Sequence, residues 1–156
     1  MRGNESIVVD YLLNEPPAEV WRALTDPKLL AKWLMENDIN PAVGHRFNFR
    51  AKPMGDWDGV VYCQVLEVDE PNKLVYSWKG GSDKNAEYGH RLDTLVTWTL
   101  TPTATGGTKL NLVHFGFEPT DYAFQIMGQG WRSMITAEKM SRILAGEQLS
   151  VRVGEQ

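Results

Sequence analysis

Residues 91–101, RLDTLVTWTLT, alternate without a break: Val96, Trp98 and Leu100 share one face, and Thr97, Thr99 and Thr101 share the other. Period-2 alternation of this kind is a strand with one buried side, which needs neighbours beside it and a cover above it. Working upstream, LVYSWK (74–79) groups Leu74, Tyr76 and Trp78. VVYCQVLEV (60–68) sets Tyr62, Gln64, Leu66 and Val68 against Val61, Cys63, Val65 and Glu67, and the first set is read as inward. HRFNFRA (45–51) turns Phe47 and Phe49 inward. Downstream, TKLNLVHFGF (108–117) puts Thr108, Leu110, Leu112 and His114 on one face. Polar segments rich in Gly and Pro separate these five pieces, so they read as an antiparallel meander. ESIVVDYLL (5–13), with Ile7, Val9, Tyr11 and Leu13 inward, completes a six-stranded sheet.

Two helical stretches frame the strands. VWRALTDPKLLAKWL (20–34) is apolar enough for core but is interrupted by Asp26-Pro27. Asp26 is a good N-cap and Pro27 a good first helical residue, so one helix stops and a second starts at an angle. Leu30, Trp33 and Leu34 close the far side of that corner. From Thr120 to about Gly146 the chain reads as one long helix, with Met127, Trp131, Met134, Ala137, Ser141 and Leu144 recurring every three or four residues. Gly128 and Gly130 weaken its middle by about 1 kcal/mol each relative to alanine, which makes a kink or a late start there reasonable. The final residues, 150–156, read as a frayed tail. The class is α+β: a curved antiparallel sheet wrapped round a long C-terminal helix, with two short helices after the first strand.

Composition narrows the function. A chain of 156 residues with 42% hydrophobic content reads as a single domain spanning 1–156. Sixteen Lys and Arg against 20 Asp and Glu give a net charge of −4 and no basic cluster, so no nucleic-acid partner is expected. No apolar run approaches the roughly 18 residues of a membrane span, so no membrane association is expected. Cys63 is the single cysteine and the N-terminus has no signal-like apolar segment, which points to a reducing cytoplasm. Gly-Lys never occurs, excluding a P-loop, and neither metal-ligand spacing nor a nucleophile elbow is present. No cofactor or metal is expected.

The six Trp, five Tyr and five Phe are more than a small core usually needs. If the sheet curls round the last helix, the space left between them is a cavity with its mouth near the loops and the two-helix corner. Trp33, Phe47, Tyr62, Tyr76, Trp78, Trp98, Met127 and Trp131 are the candidate lining. Any one of the rings reads as ordinary packing; the set reads as a pocket. Gln64 is a polar companion, and Trp57, in the loop GDWDG, is either a stray exposed ring or a gate over the mouth. His114, also counted in the lining, is either a core histidine satisfied by its surroundings or a functional group, acting as general acid/base or hydrogen-bonding a ligand's oxygen. Cys63 reads as an inert structural thiol.

The order and spacing of VWRALTDPKLLAKWL, VLEVDEPNKLVYSW, VTWTLTP with GGTKLNLVHFGF, and GWRSM resemble the START-like, helix-grip superfamily known as SRPBCC. Within it they resemble the homologues of the activator of the ninety-kilodalton heat-shock protein's ATPase. The resemblance runs from about residue 6 to 146 and implies a helix-grip fold with a pocket for a hydrophobic small molecule between the long helix and the concave sheet. It departs in two places: Glu138 stands where a leucine is usual in the final helix, and the loop 80–90 is longer and more polar. That loop reads as a lid, a dimer contact or neither. Three functions follow as expectations. The first is binding of an apolar, aromatic or lipid-like molecule. The second is a polyketide-cyclase-like reaction using His114 as acid/base. The third is a chaperone-partner role in stress response. Val61 and Val65, read as outward, leave a homodimer open.

Overall fold

The computed structural model describes residues 3–146; the tail expected at 150–156 lies outside the described residues. The chain runs β1 (Glu5–Leu13), α1 (Pro17–Thr25), α2 (Pro27–Ala31), β2 (Glu36–Asn37), β3 (Arg46–Arg50), β4 (Val60–Asp69), β5 (Lys73–Gly80), β6 (Leu92–Pro102), β7 (Thr108–Phe117), α3 (Tyr122–Met134) and α4 (Ala137–Leu144). The strands form one antiparallel sheet in the order β1-β7-β6-β5-β4-β3-β2. The expected six strands are therefore seven. The extra strand, β2, is a two-residue edge pairing Asn37 with Phe49, too short to leave a periodic signal.

Strand β6 lies near the middle of the sheet, and its alternation is as read: Val96, Trp98 and Leu100 are buried and Thr97 and Thr99 are half-buried. The corner at Asp26-Pro27 is also as read. The Asp26 carboxylate accepts the Lys28 N–H at 2.9 Å, Pro27 opens α2, and the Trp33 indole N–H donates to the Ala23 carbonyl at 3.1 Å, tying the two helices together.

Strand β4 corrects the reading. Val61, Cys63 and Val65 face the core, whereas Tyr62 is 48% exposed and Gln64 sits on the outer side. The register shows why. Phe47 pairs with Cys63 and Phe49 with Val61, which fixes the inward set, and a bulge between Val65 and Glu67 then flips the parity so that Val68 pairs with Leu74. A single unbroken alternation through residues 60–68 cannot represent both halves. Because Val61 and Val65 are buried, they give no outer apolar face for a dimer.

The C-terminal cover is two helices, not one. The break comes at Ile135-Thr136, past both glycines, where the Thr136 hydroxyl accepts the Lys139 N–H at 3.1 Å and starts α4. The carbonyls freed at the end of α3 find other partners: Lys139 Nζ donates to Met134 O at 3.1 Å, and the Tyr11 hydroxyl donates to Trp131 O. The break also shifts the buried positions beyond it to Met140 and Ile143 rather than Ala137, Ser141 and Leu144, and leaves Glu138 exposed. The core is the layer between the concave sheet and α1, α3 and α4.

Candidate functional site

Inward side chains of the central strands build an aromatic layer under α3. Trp78 and Trp98 each lie 5.7 Å from Trp131, and Trp98 meets Trp33 edge-on at 5.9 Å. Phe47 and Tyr76 are 5.2 Å apart, as are Phe49 and Trp78. Packing this many wide rings buries several polar edges, each of which needs a partner.

The buried polar groups satisfy one another. The Trp131 indole N–H donates to His114 Nδ1 at 3.1 Å, which places the imidazole proton on Nε2. Nε2–H then donates to the Thr94 hydroxyl at 2.8 Å, and that hydroxyl donates onward to the Trp78 carbonyl at 2.8 Å. Separately, the Trp98 N–H donates to the Tyr76 hydroxyl at 3.0 Å. His114 is fully buried, and burial lowers its pKa to about 3, so the ring is neutral at ordinary pH. Burial raises the Tyr76 phenol far above its usual range and does the same to the Cys63 thiol. With both nitrogens engaged and no charge to give, His114 holds the layer together.

Two adjoining hollows lie beside this layer. The larger, of about 150 Å³, is lined by Trp78, Trp131, Met35, Met127, Met134 and Gly130 among others. The smaller, of about 50 Å³, shares Met35, Trp78, Tyr88 and Met127 with it and adds Trp57 and His90. The loop 80–90 forms part of this wall. Asn85 binds it to the neighbouring loop by donating to Met54 O at 2.9 Å and accepting the Asp56 N–H at 3.1 Å. Tyr88 meets Trp57 edge-on at 5.7 Å. Gly81 (φ +89°) lets the two ends of the loop close, since a Cβ there would sit 2.2 Å from His90 O. His90 accepts the Ala123 N–H at the start of α3 at 3.1 Å, so the loop is joined to the helix as well.

Of the residues expected at the site, Trp57, Trp78, Met127 and Trp131 line the hollows. Trp57 is only 7% exposed and its N–H donates to Val60 O at 3.1 Å, so it is a wall and not a stray surface ring. Trp33, Phe47, Tyr76, Trp98 and His114 are buried in the layer behind the lining. Tyr62 and Gln64 belong to neither: Tyr62 donates to the Asp58 carboxylate at 2.6 Å on the outer surface. Met35, Tyr88 and Gly130 were not foreseen. Met35 and Tyr88 lie outside any periodic segment, and Gly130 carries no signal beyond that of a glycine weakening a helix. Among the described residues no cluster of His, Cys, Asp and Glu could hold a metal ion, and no helix is long and apolar enough to cross a membrane.

The model of the family described as activator of Hsp90 ATPase homolog 1-like protein matches residues 14–145. No curated protein matches the chain. Among solved structures the chain is similar to a Mesorhizobium loti protein at 39% identity and a TM-score of 0.73, covering 90% of this chain and 97% of that one. It is also similar to an HSP90 activator from Plasmodium falciparum, at 19% identity and a TM-score of 0.66 over 90% and 96% of the two chains. A third likeness is to the Aha1 dimer from Colwellia psychrerythraea, at 16% identity and a TM-score of 0.63 over 97% and 99%. At those last two identities the likeness is one of fold.

Proposed function

The chain belongs to the activator of Hsp90 ATPase homolog 1-like family, and from that premise we propose that residues 1–156 are one START-like domain that binds an apolar small molecule between α3 and the concave sheet. The observation that carries this reading is the larger hollow: aromatic and thioether side chains line it, and the polar groups of the layer behind it are already paired with one another. Such a site attracts apolar surface. Trp57, Trp78, Met127 and Trp131 are its contact residues, while Trp33, Phe47, Tyr76, Trp98 and His114 set its shape. A catalytic use of His114 is the weaker reading, because both ring nitrogens already have partners. A reducing cytoplasm is the proposed compartment, on the strength of the single, buried Cys63.

Tryptophan fluorescence titrated with apolar compounds, alongside thermal unfolding, tests the reading. Saturable quenching with a raised melting temperature is expected. A ligand at one hundred times its Kd adds about 2.7 kcal/mol to stability. A flat response for every compound would overturn the proposal.

A second reading, docking of a protein partner, has one observation in its favour. Val8 and Leu12 are 54% and 71% exposed on β1, an edge strand of the sheet. The Plasmodium falciparum HSP90 activator and the Colwellia psychrerythraea Aha1 dimer share the fold. Light scattering of the wild type and of Leu12→Lys separates self-association from a monomer.

A further inference from the structure

The size of the larger hollow and one glycine narrow the ligand class. Glycine weakens a helix interior relative to alanine, so Gly130 within α3 calls for a reason. Backbone geometry supplies none, since Gly130 is not among the positive-φ glycines. Packing supplies none either: a Cβ built on Gly130 meets nothing within 4 Å, whereas one on Gly128 would come within 3.2 Å of Arg132 Nη1. Gly130 lines the hollow of about 150 Å³. What its missing side chain preserves is open space at a ligand-sized opening.

That space is small. An apolar cavity of roughly 150 Å³ accepts benzene, whereas pockets for drug-sized ligands run to roughly 300–1,000 Å³. Met35 and Met127 line both hollows, and rotation of their flexible thioether chains can join the two. The joined volume still falls below that larger range. Polarity restricts the ligand too. Trp131, the hollow's one wall residue from the buried chain with an N–H directed to a partner, has given that N–H to His114. No charged side chain lines the larger hollow, so a carboxylate carried in would lose water and gain no counter-ion there.

We propose, on the reading that the hollow is a ligand site, that it takes a compact, uncharged, planar molecule of one or two fused aromatic rings, and that Gly130 keeps it open. A long-chain fatty acid or a sterol is larger than the hollow can enclose. The test is calorimetric titration and thermal unfolding of the wild type, Gly130→Ala and Gly130→Leu with indole, naphthalene, palmitate and cholesterol. Indole and naphthalene bind the wild type and the other two do not. Gly130→Leu binds indole at least tenfold more weakly. It also melts higher, by about 2–4 °C, because a helix-weakening glycine is gone. Gly130→Ala, the milder variant, melts higher as well and discriminates against naphthalene more than against indole. Tighter binding of palmitate or cholesterol than of indole would overturn the size limit while leaving a ligand site standing. Unchanged indole affinity in both variants would overturn the role of Gly130. No binding of any of the four would remove the site itself, and this proposal with it.

Discussion

Replacing His114 with glutamine removes the one titrating ring from the buried chain of Trp131, His114, Thr94 and Trp78 while keeping an acceptor and a donor in its place. Burial lowers the folded imidazole from 6.5 to about 3. Between those values the unfolded chain binds a proton that the folded chain refuses, so the stability is fully present above pH 6.5 and is lost as pH falls towards 3. Integrated from pH 7 to pH 5, this single group removes about 2 kcal/mol. Urea denaturation followed by circular dichroism, on wild type and His114→Gln at both pH values, reads the effect directly. Every other titrating group changes both proteins alike and cancels in the difference. The wild type is expected to lose about 2 kcal/mol more than His114→Gln. An equal loss in the two proteins would mean that folded His114 takes up the proton. Its neutral state, which burial explains, would then be wrong.

Tyr76→Phe leaves the fully buried Trp98 N–H without its acceptor. It should lower stability by about 1–3 kcal/mol in the same denaturation assay. Asp26→Ala removes the cap of α2 and should lower stability by about 1 kcal/mol, with Asp26→Asn close to wild type; equal values for all three would show that the corner does not rely on the cap. Cys63 is 5% exposed and its thiol is shifted far above its usual range by burial, so an aromatic disulfide reagent at pH 8 should react only after guanidinium is added. Rapid reaction of the native protein would contradict that burial.

How far the sequence could be read depended on whether the deciding forces were local. The corner at Asp26-Pro27 was legible because an N-cap and a proline at the first helical position act within a few residues. Strand β6 was legible because its threonine and apolar faces differ sharply. Strand β4 was not, since it carries apolar residues on both faces and its bulge adds a residue that only the pairing with β5 reveals. The helix break was misplaced for a related reason. Propensity pointed to Gly128 and Gly130, yet the helix runs through both. It stops where Thr136 starts a new one and where Tyr11, from the far end of the chain, takes up the Trp131 carbonyl. Parity on β5 and helical spacing in α3 found Trp78 and Trp131, while Met35 and Tyr88 enter the site through loop geometry that no period encodes.

The same facts that favour binding over chemistry also explain the composition of the site. An acid or base needs a nitrogen or oxygen whose partner is the substrate. Here the ring nitrogens of His114 serve Trp131 and Thr94, and the Tyr76 hydroxyl serves Trp98. The bonds to Trp131 and Trp98 each let a wide indole be buried without a polar penalty. The histidine and tyrosine that look catalytic in the sequence are thus what allows Trp131 and Trp98 to pack together in the interior. Once they are engaged in that way, the wall facing the hollow is mostly carbon, sulfur and ring faces, with Tyr88 and Trp78 as its polar-tipped members. A site of that composition distinguishes ligands by size and shape. The position with most influence over size is the one with no side chain, Gly130, so selectivity in this protein should respond more to substitution there than to any change of its buried polar groups.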